Sequence, residues 1–262
     1  MVIKLNKKTL INELLNYFLK EKENFVTIEI PHTYTEQRKL LRGIINLREP
    51  AYIPLEILEK ENHLLQLELK DKNITNVKEL QGPIIIWQGD ITTLKCDAIV
   101  NAGNEYLLGC FIPNHNCIDN QIHTFAGISL RIKCNDIMKG KTLNTGEVVL
   151  TEGYNLPCKY IIHTVGPQVH GKLTTQNKED LKKCYLNSLK MAQKNNLRTV
   201  AFPCISTGVY SFPSKEAATI AFNTILEYLE KCPDSFDKIV FNVFTKEDKY
   251  IYDQLFRNYQ IN

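Results

Sequence analysis

Three metal-binding side chains fall within eight positions of this chain. Cys110, His115 and Cys117 form the spacing C-x4-H-x-C, and Asp119 follows two residues later. Two thiolates and one imidazole are ligands that zinc favours. Three protein ligands with a fourth position open is the pattern of a catalytic rather than a structural ion. Iron or cobalt would use some of the same ligands, and the set suits zinc best. Any one of these residues alone would read as packing. Three such ligands at one strand-to-helix junction read as a metal site.

Two further loops carry functional groups. In GDIT, Gly89 lets backbone approach a ligand closely and Asp90 offers an acceptor to an exocyclic amine. In CISTGVYSFP, residues 204–213, a Ser-Thr-Gly turn precedes the helical stretch SKEAATIAFNTILEYLEK. Such a turn offers N–H groups and hydroxyls to a phosphate, helped by the helix dipole. Gly208 permits either a positive φ or close approach.

The elements that must position these loops alternate. From Gly82-Pro83 onward, the runs PIIIWQGDI, DAIVNA, GEVVLTEGYNLP, KYIIHTVGP, TVAFPCI and KIVFNVF read as strands. Helices are expected over about 120–131, 179–196, 214–231 and 247–257, and 135–145 as an exposed loop. That order is the mark of an α/β sheet covered on both faces, which binds ligands beyond the carboxyl ends of its strands. Residues 1–80 read instead as helical and charge-rich. They hold a helix with Thr9 as its N-cap, a second over YTEQRKLLRGIINLREP that stops at Pro50, and a third opening near Pro54. This N-terminal helical extension is expected to pack over the domain at 83–262 and narrow access to its site.

Composition narrows the classes. The chain has 262 residues, 44% hydrophobic and 23% charged, with a formal net charge of +3. That charge is too mild for a nucleic-acid footprint. No apolar run reaches bilayer length, and the lysine within the first apolar run argues against a leader. Eight cysteines without a secretion signal point to a reducing, cytoplasmic setting. Cys96, Cys134, Cys158, Cys184, Cys204 and Cys232 have no partner at metal spacing and read as packing or surface thiols. His163 reads as a satisfied core histidine, and His123 as orienting the loop or supporting the metal from behind.

Taken together, IWQGDIT, DAIVNAGN, CIDNQIH, YIIHTVGP, ISTGVYSFP and VFTKEDKYIY resemble the macrodomain family in order and spacing, over roughly 83–262. The resemblance implies a three-layer α/β/α fold with a mixed central sheet. It implies binding of ADP-ribose and hydrolysis of its conjugates. The long GCFIPNHNCIDNQIH loop is similar to a zinc-dependent microbial branch, which also carries an N-terminal helical extension. Residue by residue, Asp90 with the Ile91 backbone matches the adenine reader, and Phe244 the aromatic that stacks on it. Ser206, Thr207, Gly208, Val209 and Tyr210 match the diphosphate loop. Asn104 matches the residue facing the distal ribose, and Asp119 the catalytic carboxylate. Cys110, His115 and Cys117 match the ligands of one Zn2+. The implied substrate is a mono-ADP-ribosylated protein, with a lipoyl-carrier protein as one implied partner.

Gly103 replaces the usual alanine, and Ser211 the usual glycine, where it would crowd the ribose or donate one more hydrogen bond. Three rivals share the pocket: a reader that binds ADP-ribose without turnover, an O-acetyl-ADP-ribose deacetylase, and a zinc that merely shapes the loop.

Overall fold

The computed structural model describes residues 6–21 and 28–261; the first apolar run, whose lysine argues against a leader, lies outside them. Three helices come first: α1 (Lys7–Phe18), α2 (Tyr34–Asn46) and α3 (Leu55–Leu69). Their apolar stripes, including Leu10, Leu14, Phe18, Leu41, Ile44 and Leu64, close on one another as a separate small core. Helix α1 is capped by Asn6, whose side chain accepts from the Thr9 N–H, so Thr9 lies one turn inside the helix rather than at its start.

The remaining chain builds β1 (Thr75–Asn76), β2 (Ile84–Gln88), β3 (Leu94–Lys95), β4 (Ala98–Gly103), α4 (Ile118–Ala126), α5 (Ile128–Met138), β5 (Val148–Glu152), β6 (Tyr160–Val165), α6 (Thr175–Lys194), β7 (Thr199–Phe202), α7 (Ser214–Lys231), β8 (Lys238–Val243) and α8 (Lys246–Ile261). Six strands form one sheet in the order β2-β8-β7-β4-β6-β5. Pairing is parallel except at the edge, where β5 runs antiparallel to β6. The sheet is therefore mixed, and the α/β/α fold class stands.

Alternation along each strand sorts the side chains. Ala98, Val100, Ile162, Val200 and Phe241 face a core covered by α6, α7 and α8. Ile99, Ile161, Ala201 and Val240 face the opposite core, covered by α4 and α5. Buried on both faces, these strands read as continuous apolar runs. Two boundaries differ from expectation. The single helix expected over 120–131 is two, broken at Gly127, whose φ is 97°. Cys134 and Met138 are buried, so α5 continues through the front of the stretch expected as a loop.

The extension is stitched to the domain at that break. Helix α5 has no side-chain cap of its own, and Glu61 of α3 accepts from the Ile128 N–H at 3.0 Å. Glu61 is only 3% exposed, and burial raises its carboxyl from 4.5 to about 7, outweighing that hydrogen bond. With the folded value raised, the native state holds a proton that the unfolded chain releases. Stability therefore falls as pH rises from about 4.5 to about 7 and is flat beyond. Glu61→Gln removes that slope. Denaturant melts should show the variant gaining on the parent by on the order of 1–3 kcal/mol between pH 4.5 and 8. A difference independent of pH would refute the assignment.

Candidate functional site

In this strand order the chain leaves β4 toward β6 and later returns to β7 on its other side. The loops after β4 and β7 therefore diverge and open a crevice, the switch point at which parallel sheets bind ligands. A cleft of about 1010 Å³ lies there. Its walls come from the loops after β2, β4, β6, β7 and β8, all at the carboxyl edge of the sheet. The order β2-β8-β7-β4 sets the groups in a row. Asp90 and Phe244 follow the outer pair, the 204–213 loop follows β7, and the cysteine–histidine loop follows β4. At about 4.8 Å per strand, three spacings span about 14 Å. A linear ligand along this edge would meet an aromatic face, then loop backbone, then the cysteine–histidine cluster.

At the outer end, the Asp90 carboxylate accepts from the Thr92 N–H at 2.9 Å and from its hydroxyl at 2.6 Å. Its other oxygen lies 3.6 Å from Lys72, which follows α3. One carboxylate oxygen thus shapes the turn and the other faces outward. Ile91 is buried beneath it, and the Phe244 ring is 77% exposed on the rim.

The central loop holds its shape differently from expectation. Thr207 donates its hydroxyl to Cys204 O, so that group serves the loop. Ser206 is buried with φ 66°, and its Oγ has no hydrogen-bond partner among the described residues. A Cβ at Gly166, after β6, would come within 2.1 Å of that Oγ, so glycine is required there. Gly208 has no positive φ; a Cβ there would meet nothing within 4 Å, leaving backbone open to the cleft. Val209 and Tyr210 complete the wall, which ends before the first turn of α7. Loop backbone, rather than the tip of α7, thus faces the cleft. Ser211 is exposed at φ 56° and is not among the residues that line the cleft. Gly208→Val should leave the melting temperature within a few degrees, because the site is open, yet weaken a ligand filling this cradle at least tenfold. Isothermal titration tests this; unchanged affinity would remove Gly208 from the binding surface.

At the inner end, Cys117 is the N-cap of α4, its Sγ accepting from the Asn120 N–H at 3.4 Å. The ligand atoms of Cys110, His115 and Cys117 all lie within 4.8 Å of one another, and Cys110 Sγ is 3.6 Å from His115 Nδ1. A tetrahedral zinc, with bonds of about 2.3 Å to sulfur and about 2.05 Å to nitrogen, separates those two atoms by about 3.6 Å. The group fits the ion. Burial pushes the Cys117 thiol up to about 12, whereas a coordinating thiol is deprotonated outright.

Asp119 lies in the first turn of α4 rather than in the loop, and only 5% of it is exposed. Its Oδ1 accepts from Asn101 Nδ2 at 2.8 Å and its Oδ2 from Asn104 Nδ2 at 3.4 Å. Burial raises the carboxyl to about 6, against the lowering effect of the Asn101 hydrogen bond. Asn104 lines the cleft, but it also braces the loop, donating to Gly109 O at 3.0 Å and accepting from the Tyr106 N–H at 3.0 Å.

All of the expected site residues line one cleft. Asn101 was missed because it reads as one more inward strand position. It is fully buried, and its amide also lies 3.2 Å from His163 Nδ1. His163 Nε2 lies 2.9 Å from Thr151 Oγ1, so this core histidine is satisfied and fixes how Asn101 meets Asp119. His123 packs against the loop: among the described residues neither ring nitrogen has a hydrogen-bond partner, its Nε2 lies 3.7 Å from Asp119 Oδ1, and a Cβ at Gly109 would come within 2.8 Å of its ring. His123, Cys134 and His163 lie close enough to share an ion, but all three are buried and both His163 nitrogens are engaged, by Asn101 and Thr151. That group is core.

Comparison with known proteins agrees with this geometry. Residues 100–221 match the Macro domain family. The chain is 43% identical to a protein-ADP-ribose hydrolase of Treponema medium, over 92% of this chain and 96% of that protein. It is 42% identical to a protein-ADP-ribose hydrolase of Staphylococcus aureus, over 96% of each. Among solved structures, a Trypanosoma brucei macrodomain in complex with ADP-ribose superposes with a TM-score of 0.65 at 30% identity, covering 82% of this chain and 94% of that one.

Proposed function

Because this chain belongs to the macrodomain family, we propose that it is a zinc-dependent hydrolase that removes mono-ADP-ribose from modified protein side chains. The observation that carries the reading is the shared cleft: a buried carboxylate and a thiol–imidazole–thiol cluster line the same crevice as an adenine-type subsite. A reader would need the subsite but neither of the others.

In this reading Asp90 and Phe244 hold the adenine, and the 206–210 backbone wraps the diphosphate. Binding at that end, remote from the reacting bond, places the distal ribose against the inner wall. Asn104 faces the ribose. Asp119, held by Asn101, positions a water and accepts its proton as the water oxygen bonds to the anomeric carbon and the bond from that carbon to the protein breaks. Cys110, His115 and Cys117 would hold the zinc, which supplies electrophilic stabilisation at the distal end.

The test is release of free ADP-ribose from proteins mono-ADP-ribosylated through defined linkages, among them a modified lipoyl-carrier protein. Turnover of one linkage class is expected, with turnover lost on chelation. Tight ADP-ribose binding without release from any substrate, by protein loaded with zinc, would make the chain a reader.

A further inference from the structure

The cysteine–histidine loop does not shape itself. Arg42, on α2 of the extension, donates through Nη2 to His115 O at 2.7 Å, and through Nε and Nη2 to Asn120 Oδ1 at 3.2 and 2.8 Å. Asn120 is fully buried and passes the contact on, its Nδ2 donating to Cys110 O at 3.2 Å and Ile112 O at 3.0 Å. One turn further along α2, Asn46 accepts from the Asn114 N–H at 2.9 Å. The α2 face thus fixes loop backbone directly at Asn114 and His115, and through Asn120 of α4 it supports Cys110 and Ile112 as well.

Glycine in a helix interior is unfavourable, yet α2 carries Gly43 between these two residues. A Cβ there would come within 3.0 Å of Asn114 Nδ2 and 3.7 Å of Pro113 Cβ. The loop lies directly on the helix backbone, which explains the glycine. Asn114 also takes φ 56°, a conformation that asparagine tolerates and that an external brace keeps in place.

We infer that the N-terminal extension is a working part of the inner site: Arg42 and Asn46 are positioning residues that hold the 110–117 loop with its three ligand groups converged. None of these extension residues lies within the segment that matches the family, residues 100–221. The inference rests on the proposed metal site for its second and third readouts, and stands apart from it in the first.

Three readouts on Arg42→Met, Arg42→Lys and Gly43→Val test it. The first is amide exchange of the 110–117 segment in metal-free protein, where Arg42→Met and Gly43→Val should each exchange at least tenfold faster. Valine is no poorer a helix former than glycine, so a loss there reports the loop and not α2. The second is zinc affinity by competition with a chromophoric chelator, expected to weaken about 10–100-fold in Arg42→Met, as for other groups that orient metal ligands. The third is a split of kinetic constants: kcat falls while the Kd for ADP-ribose stays within twofold. Arg42→Lys restores the bond to His115 O alone and should fall between parent and Arg42→Met. Wild-type loop exchange in both Arg42→Met and Gly43→Val would overturn the inference whether or not the parent binds zinc. A parent that binds no zinc but shows accelerated loop exchange in the variants would sink the metal reading and leave the brace standing.

Discussion

Asp119→Asn should lower kcat for ADP-ribose release by about 10²–10⁴-fold, the usual contribution of a positioned proton acceptor. The Kd for ADP-ribose should stay within a few-fold of the parent. The split follows from what the carboxylate touches. Asp119 meets Asn101 and Asn104 on its protein side, while the walls proposed for adenine and diphosphate come from other loops. Asparagine keeps the volume and still presents an oxygen to Asn101 Nδ2, so the buried site is not emptied. The Asn104 amide keeps Gly109 O as its acceptor at 3.0 Å. A melting temperature close to the parent's is therefore expected. Single-turnover release and titration calorimetry on the same preparation decide the matter. A variant that retains more than about a tenth of parental kcat would move the proton acceptor elsewhere, with Asn101 a neutral amide and His163 fully buried with both nitrogens engaged. A variant that loses binding and kcat together would show that Asp119 shapes the cleft instead.

Asp119 also marks where the sequence was legible. Its place two residues after Cys117 was plain, and strand alternation with intervening helices was enough to put a cleft at the carboxyl edge of an α/β sheet, while the mixed character of that sheet came from the resemblance alone. What spacing could not carry was contact between distant segments. Asn101, 18 residues before Asp119, looks like any inward strand residue until the fold sets the two side by side. Arg42 is 73 residues from the carbonyl it grips, and a charged helix residue reads as a solvated face by default. Gly43 gave a local signal, since a glycine within a helical pattern asks for a close neighbour, but nothing in the pattern names that neighbour. Gly208 shows the reverse limit. Its residue type announces freedom, and only geometry shows that the positive φ angles fall on Ser206 and Ser211 while Gly208 leaves space.

Cys117→Ser should abolish stoichiometric zinc and reduce turnover at least a hundredfold, with ADP-ribose binding retained. Serine is chosen because Cys117 has two duties. Its Sγ caps α4 through the Asn120 N–H, and serine is among the best N-caps, so the helix start survives while the soft ligand is lost. Chelation of the parent should reproduce the loss, and added zinc should restore the parent but not the variant. The brace from α2 makes the outcome diagnostic. With four loop positions already held by Arg42, Asn46 and Asn120, the fold does not need an ion to shape this segment. If the metal serves chemistry, its removal leaves the melting temperature nearly unchanged and shows in kcat. If it serves only as a scaffold, removal destabilises the loop and loosens substrate binding, so Tm and KM move while kcat at saturation persists. Turnover indifferent to both chelator and Cys117→Ser would remove the metal from the mechanism and leave Asp119, set by Asn101, as the chemical centre of the cleft.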